Sequence, residues 1–272
     1  MHRIALLQMT AGIDPAANAQ VIVGAVGAAA MGGASMLFTP EMSGLIDRNR
    51  ERARAHIVAE ADNLVLAAVQ QAAADAGLWV VLGSLAVARE DGRWANRAYV
   101  IDSGGTIAAR YDKLHMFDVD LASGESWRES AAYAPGDRLG VVEHTPLGRL
   151  GLAICYDMRF PALFDALGKA HCDVIAVPAA FTVPTGAAHW HLLLRARAVE
   201  ASAFVIAAAQ AGQHEDGRET YGHSLVVDPW GDVLLDMGGE GAALAFAELD
   251  PARTAEVRAQ LPSLANRRDI PR

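Results

Sequence analysis

The sequence predicts an α/β fold in which helices cover buried sheets. Along the chain, short apolar runs are separated by longer segments of helical pattern. In most of the short runs successive residues are all apolar, without the apolar–polar alternation of a half-exposed strand. Continuous apolar strands are typical of sheets that are buried on both faces. Periodicity alone does not distinguish a doubly wound sheet from a two-sheet sandwich, so both architectures stay open at this point.

Each strand is predicted from a short run of apolar residues, and each helix from a longer segment of helical pattern. Two helices also have clear start signals, because Pro161 and Pro251 suit the first helical position and Asp250 suits the N-cap. The predicted strands are residues 4–9, 36–39, 79–82, 97–101, 106–111, 140–143, 150–154, 174–177, 204–209, 224–228, 233–236 and 243–248, and the predicted helices are residues 18–30, 62–76, 161–170, 188–202 and 251–260.

Length and composition exclude several classes of protein. The chain has 272 residues, of which 52% are hydrophobic and 20% charged, and no Pro- or Ser-rich linker divides it, so we expect one domain over residues 1–272. A net charge of −9 without a basic run argues against nucleic-acid or anionic-membrane partners. The longest uncharged stretch, residues 16–40, is interrupted by glycines and predicts no membrane span.

Two residue types are scarce, which draws attention to each member. The chain has 2 cysteines, Cys155 and Cys172, and its 23 basic residues include only the lysines Lys113 and Lys169. Two cysteines do not make a disulfide framework, so we expect a reducing compartment and a cytoplasmic location.

Common cofactor motifs are missing from the sequence. It contains no G-x-S-x-G elbow, no G-K-[ST] phosphate loop and no G-x-G-x-x-G fingerprint, and we expect no cofactor. His189 and His191 suggest a metal site, but side chains two positions apart on a helix point in nearly opposite directions. We therefore expect packing roles for both histidines and no metal.

Cys155 is the strongest candidate nucleophile. The segment 149–161 predicts a buried strand, a sharp turn at Cys155 and a helix that begins near Pro161. Such a turn presents a side chain to a cleft, and a helix N-terminus favours a thiolate and an oxyanion. The alternative is a buried structural cysteine, although Asp157 and Arg159 are unlike a core strand. We expect a packing role for Cys172.

A cysteine hydrolase also needs a base and an oxyanion stabiliser. Glu41 and Lys113 each follow an apolar strand, as Cys155 does, and ligands of α/β folds bind at the carboxyl ends of strands. The alternatives are an ordinary loop carboxylate for Glu41 and a solvated charge for Lys113.

In this order and with these flanks, Glu41, Lys113 and Cys155 resemble the Glu-Lys-Cys triad of the nitrilase (carbon–nitrogen hydrolase) superfamily. The resemblance extends from residue 4 to about residue 268 and rests on three motifs: Pro-Glu-Met-Ser at 40–43, Asp-Lys-Leu-His-Met-Phe-Asp-Val-Asp at 112–120, and Gly-Leu-Ala-Ile-Cys-Tyr-Asp-Met-Arg-Phe-Pro at 151–161. It implies a four-layer αββα sandwich, which commonly forms a homodimer.

The resemblance also implies roles for individual residues. Cys155 is the expected nucleophile, Glu41 the general base and acid, and Lys113 the oxyanion stabiliser, helped by the backbone N–H of Tyr156. Glu129 matches the place of a second glutamate that often joins the triad; the alternative is a polar loop residue.

Within the superfamily, Cys155-Tyr156-Asp157 resembles the amidase-type branch, which acts on small carboxylate-bearing amides. The stretch 207–231 looks most like the branch that hydrolyses deaminated glutathione, with ω-amidases as the closest alternative and N-carbamoyl amino acid hydrolases as another.

Phe181 and Thr182 are expected in the substrate pocket, and segment 118–129 is expected to cover it. Arg159 is a candidate partner for a substrate carboxylate; the alternative is a salt bridge with Asp157 or another acid. A catalytically silent scaffold protein is the competing class, but such a protein is expected to lack a triad residue, and none is lacking here.

Overall fold

The computed structural model describes residues 1–122, 124 and 126–268. Two six-stranded sheets face each other, and helices cover their outer faces, which confirms the αββα sandwich. The strands are β1 (His2–Gln8), β2 (Met36–Phe38), β3 (Trp79–Ala88), β4 (Trp94–Ile101), β5 (Ile107–Asp112), β6 (Asp118–Asp120), β7 (Ser126–Arg128), β8 (Gly140–Thr145), β9 (Gly148–Leu152), β10 (Val174–Ala176), β11 (Phe204–Ala207), β12 (Ala211–Gln213), β13 (Glu219–Tyr221), β14 (Leu225–Val227), β15 (Val233–Asp236) and β16 (Ala243–Leu249). The helices are α1 (Pro15–Met31), α2 (Arg50–Arg54), α3 (Leu64–Ala76), α4 (Pro161–Lys169), α5 (Val183–Ala201) and α6 (Pro251–Gln260).

Both large sheets are mixed. The first has the strand order β16-β1-β2-β3-β4-β5, and the second has the order β15-β14-β11-β10-β9-β8. β1, β2 and β3 run parallel to one another, as do β9, β10 and β11. The first and last strands of the chain are antiparallel neighbours, with Leu6 opposite Ala245. The first and last strands of the described chain therefore belong to the same sheet.

The largest hydrophobic core lies between the two sheets. Leu6 and Phe38 come from the first sheet and Leu150 and Leu152 from the second, and all are buried. Outside the sandwich, α1 and α3 bury apolar side chains against the first sheet, and α4 and α5 do so against the second. Continuous apolar strands are thus buried on both faces, as their sequences indicated.

α5 begins at Val183, five residues before the predicted start at residue 188. The difference arises because Pro184 and Gly186 disfavour a helix interior, whereas proline is well suited to a first turn. Gly186 also has a packing reason, since a Cβ there would lie 2.3 Å from Cγ of Tyr221. The short hairpins β6–β7 and β12–β13 and helix α2 were not predicted, because each is too short to show a periodic pattern.

The strand ends place the candidate residues. Glu41 follows β2, Lys113 follows β5 and Cys155 follows β9. None of the helices in the described part of the chain is long and apolar enough to cross a membrane.

Candidate active site

Glu41, Lys113, Glu129 and Cys155 meet in one cavity of about 450 Å³. Three of them are almost fully buried, with Glu41 4% exposed, Lys113 2% and Cys155 8%. Tyr156, Phe181 and Thr182 also line this cavity. The structure therefore brings together every predicted site residue except Arg159.

Cys155 lies on a strained turn at the start of a 3-10 helix, Cys155–Arg159. Its φ of 47° is in the left-handed region, which residues with a Cβ rarely adopt. The turn is held by the Cys155 N–H, which donates to the Pro178 carbonyl oxygen at 2.9 Å. A strained backbone at a reactive side chain is typical of functional sites.

Asp157 connects this turn to the first sheet through hydrogen bonds. Its buried carboxylate accepts hydrogen bonds from the Tyr111 hydroxyl at 2.8 Å, the Ile154 N–H at 3.0 Å and the His115 N–H at 3.0 Å. The His115 ring nitrogen Nδ1 lies 2.7 Å from the same carboxylate. Asp157 is thus committed to positioning the turn and makes no salt bridge with Arg159.

Glu41 is held from several directions. Ala180 N–H donates to Oε2 at 2.9 Å, and Asn96 Nδ2 donates to Oε1 at 2.9 Å. The side-chain amide of Gln210 donates to the Glu41 backbone carbonyl at 3.0 Å, and the backbone N–H of Met42 donates to Ser84 Oγ at 2.9 Å. Four separate segments of the chain therefore position Glu41, two through its carboxylate and two through the backbone.

Lys113 lies between two carboxylates. Its Nζ is 3.0 Å from Oε1 of Glu41 and 2.9 Å from Oε2 of Glu129. Burial lowers the pKa of this ammonium, but the charges of Glu129 and Glu41 outweigh burial, and the pKa of Lys113 is raised well above its usual range. Lys113 is therefore a permanent cation in the cavity.

Glu129 joins the site from the short 3-10 helix Glu129–Ala131, directly after β7. Besides Lys113, its carboxylate accepts from the Phe117 N–H at 2.7 Å and from Asn96 Nδ2 at 3.1 Å. One asparagine thus donates to both glutamates. Asn96 was not predicted, although a polar residue in the apolar strand β4 was a signal that could have found it.

The resting state of Cys155 is a thiol. Burial raises the pKa of Cys155, the negative charge of Glu41 raises it further, and Lys113 only partly opposes them. Burial also opposes ionisation of Glu41, but Lys113, the neighbouring Cys155 thiol and a hydrogen bond from Asn96 lower the pKa of this carboxyl. Burial and the charge of Glu41 thus favour the thiol in the resting site over the thiolate that a helix N-terminus would favour.

Arg159 is not among the residues that line the cavity. Its guanidinium carbon lies 5.2 Å from the centre of the Phe181 ring, and Nη1 lies 3.3 Å from Nδ1 of His189. The arginines that do line the cavity are Arg48, Arg50, Arg128 and Arg218. Arg128 belongs to segment 118–129, which was expected to cover the pocket. The sequence did not single out the other three, because they lie outside the three motifs.

His189 and His191 do not act together. His191 Nε2 instead lies 2.8 Å from Oδ2 of Asp236, whose Oδ1 lies 2.9 Å from Nδ1 of His223. This group could geometrically hold a metal ion, but it lies outside the cavity that contains Cys155. Cys172 is fully buried in the main core, which confirms its packing role, and burial raises the pKa of its thiol to about 12.

Comparisons with known proteins agree with this geometry. The family model "Carbon-nitrogen hydrolase" matches residues 3–259. The deaminated glutathione amidase of Synechocystis sp. (strain PCC 6803 / GT-S) is 40% identical over 267 residues, covering 97% of this chain and 97% of that protein. The deaminated glutathione amidase of Bos taurus is 39% identical over 269 residues, covering 97% of this chain and 81% of that protein.

Solved structures share the fold. The C. elegans NitFhit protein superposes with a TM-score of 0.90 at 36% identity, covering 98% of this chain and 65% of that chain. An amidase variant from Nesterenkonia sp. AN1 superposes with a TM-score of 0.80 at 28% identity, covering 96% of this chain and 98% of that chain. That variant carries the Michael adduct of acrylamide at its active-site cysteine.

Proposed function

The chain belongs to the carbon–nitrogen hydrolase family, and from this premise we propose that it is a cysteine-dependent amidase that hydrolyses deaminated glutathione. One observation carries the proposal. A buried cysteine on a strained turn lines the same cavity as Glu41, and Glu41 is in turn paired with a buried lysine at 3.0 Å. This arrangement supplies a nucleophile, a base and a cation within a single cavity.

The first half of the reaction forms a thioester. Glu41 takes the proton from the Cys155 thiol as the sulfur attacks the amide carbonyl carbon. Lys113 and the backbone N–H of Tyr156 stabilise the oxyanion of the tetrahedral intermediate. Glu41 then gives the proton to the leaving nitrogen, the C–N bond breaks, and the amine departs.

The second half releases the acid. A water molecule gives a proton to Glu41 and attacks the thioester carbonyl, with the oxyanion again at Lys113. The C–S bond breaks, the acid leaves, and the proton on Glu41 returns to the Cys155 sulfur. Glu129 contributes by holding Lys113 and the Phe117 N–H in place, at 2.9 and 2.7 Å.

The proposed substrate class follows from the charge of the cavity. The chain has a net charge of −9, yet four arginines line the cavity around the triad. A local excess of cations in an acidic protein favours an anionic ligand. The names of the relatives then support deaminated glutathione, a carboxylate-bearing amide, over a neutral amide.

The test compares turnover of four compounds by the purified protein: deaminated glutathione, α-ketoglutaramate, succinamate and an N-carbamoyl amino acid. We expect the highest kcat/KM on deaminated glutathione, no activity in Cys155→Ala, and normal activity in the matched control Cys172→Ala. Faster turnover of α-ketoglutaramate or of the carbamoyl compound would assign the protein to one of those branches. No turnover of any amide would favour a scaffold protein.

Three further properties belong to this proposal. A single catalytic domain over residues 1–272 is supported by the pairing of β1 with β16. A homodimer is supported by exposed apolar side chains on α5 and on the neighbouring β14–β15 turn and β15, namely Leu192, Val199, Trp230, Val233 and Leu234. A cytoplasmic location is supported by the two free cysteines. Light scattering of the purified protein tests the dimer, and a monomeric mass would contradict it.

A further inference from the structure

Two arginines outside the triad, Arg48 and Arg218, pack against the ring of Trp127 in the cavity wall. The guanidinium carbon of Arg218 lies 4.8 Å from the centre of the Trp127 ring, and that of Arg48 lies 5.5 Å from it. All three residues line the cavity. They come from separate segments, because Arg48 follows the Glu41 loop, Trp127 is in β7 and Arg218 lies between β12 and β13.

Buried donors in this cluster lack acceptors. Among the described residues, neither Nε1 of Trp127 nor Nε of Arg218 has a hydrogen-bond partner, although both atoms are buried. Nearly all buried N–H groups in native proteins are hydrogen bonded. Oδ2 of Asp216 is a buried acceptor near Arg218 that also has no partner within the described part of the chain, but it bonds neither donor, so the two donors still lack an acceptor. A carboxylate offers two oxygens that accept such bonds.

The charge of the cluster is also only partly balanced. The side chain of Arg218 is 18% exposed, and its nearest carboxylate is that of Asp216, with 3.5 Å between Nη2 and Oδ2. The other oxygen of Asp216 accepts the Arg218 backbone N–H at 2.9 Å. Asp47, also in the cavity wall, is committed to Arg52 at 2.6 Å.

The titration of Arg218 has the corresponding direction. Burial lowers the pKa of Arg218, and the nearby charge of Arg48 lowers it as well, while Asp216 and Glu41 oppose them without compensating fully. A bound anion would provide the missing compensation.

The position of the cluster indicates which part of a substrate it meets. In the proposed mechanism Glu41 protonates the leaving amine, so the leaving group lies on the Glu41 side of the scissile bond. Arg48 is on the same loop as Glu41, and Trp127 is two residues before Glu129. The acyl half, in contrast, becomes attached to Cys155.

We propose that Arg48, Arg218 and Trp127 form a carboxylate-binding site for the leaving-group half of the substrate. In deaminated glutathione this half is a dipeptide that ends in a carboxylate, whereas in α-ketoglutaramate it is only ammonia. The site therefore selects the longer substrate over the shorter one. This inference rests on the proposed function, because it needs amide hydrolysis at Cys155.

The experiment uses two substrates that share one acyl half. Arg218→Gln and Arg48→Gln should each lower kcat/KM on deaminated glutathione about tenfold to a hundredfold, chiefly through KM, since a hydrogen-bonded charge is removed. Their kcat/KM on α-ketoglutaramate, whose leaving group is ammonia, should fall at least about fivefold less than on deaminated glutathione, because only the longer substrate loses an ionic hydrogen bond to its leaving half. Arg138→Gln, which changes the same charge on the exposed surface, is the matched control.

Two additional measurements sharpen the result. Arg218→Lys keeps the charge but loses the planar fork, and should fall between the wild type and Arg218→Gln. A deaminated glutathione whose terminal carboxylate is replaced by a carboxamide should be a poor wild-type substrate and should be insensitive to Arg48→Gln. Arg48 is exposed, so this variant keeps the test independent of any folding defect of the Arg218 variants.

Each outcome is decisive. Equal losses on both substrates, or unchanged kcat/KM on deaminated glutathione in both glutamine variants, would overturn the inference while leaving the proposed function intact. A wild-type protein that hydrolyses neither substrate would overturn the proposed function, and with it this inference.

Discussion

Oε1 of Glu41 lies 3.0 Å from the ammonium nitrogen of Lys113, and both side chains are almost fully buried. Charges are costly to bury unless they are paired and hydrogen bonded, and here Asn96 and Ala180 also donate to the carboxylate. The pair therefore stays ionised in the cavity that also contains the nucleophile Cys155. This relationship is the basis of the first three predictions.

Lys113→Arg should abolish turnover and leave the protein folded. Glu41 and Glu129 lie 3.0 and 2.9 Å from the compact ammonium, and a planar guanidinium presents its charge in a different geometry, so the oxyanion loses its stabilising charge. We expect kcat/KM to fall by about 10³-fold. Circular dichroism would check the fold, and Lys169→Arg is the control, since Lys169 is 62% exposed and pairs with Asp165 on one helix. Retained activity in Lys113→Arg would remove Lys113 from the mechanism.

Glu41→Gln should stop amide turnover but make Cys155 easier to alkylate near neutral pH. The negative charge of Glu41 raises the pKa of Cys155, and a neutral amide leaves Lys113 free to favour the thiolate. The measurement is the rate of iodoacetamide alkylation across a pH series, with the modified cysteine identified by mass spectrometry. The apparent pKa should move downward; an upward shift would contradict the assigned thiol state.

Glu129→Gln should lower kcat about 10²-fold with little change in KM, because the residue orients Lys113 instead of binding substrate. The amide would still accept one hydrogen bond but would no longer balance the ammonium charge. Steady-state kinetics would measure the effect, with the exposed Glu256→Gln as control. A large rise in KM alone would show that Glu129 contacts substrate instead.

Tyr111→Phe should loosen the turn that carries Cys155. The change removes the 2.8 Å hydrogen bond to the buried Asp157 and should cost about 1–3 kcal/mol in the free energy of unfolding. It should also lower kcat. Urea unfolding and kinetics would be compared with Tyr99→Phe, which removes a hydrogen bond to Glu60 away from the site. Unchanged kcat in Tyr111→Phe would show that Asp157 needs no support from this hydroxyl.

The protein should lose stability both at low pH and at high pH. The pKa of Glu41 is lowered from 4.5, so its stabilising contribution is present above pH 4.5 and is lost as the pH falls through the folded value. The pKa of Cys155 is raised from 9.0, so its contribution is present below pH 9.0 and is lost as the pH rises. Thermal unfolding would be measured from about pH 3 to about pH 10, a range that spans the ordinary pKa values of glutamate and cysteine. We expect the melting temperature of Glu41→Gln to fall less on acidification than that of the wild type.

Sequence alone predicted the αββα sandwich and the three central residues. Apolar runs are local, so most strands were located to within a few residues, and Glu41, Lys113 and Cys155 each follow such a run within a specific motif. The choice of sandwich depended on the family resemblance, because periodicity shows that a strand is buried but not which sheet it joins.

Only the tertiary structure decided the protonation state of Cys155 and the remaining members of the site. A pKa depends on distances between charges, and Glu41, Lys113 and Glu129 are brought together from different strand ends by packing. Asn96, Arg48 and Arg218 likewise acquire their proposed roles from neighbours that are remote in sequence. Arg159 illustrates the converse, because its closeness to Cys155 along the chain does not place it in the cavity.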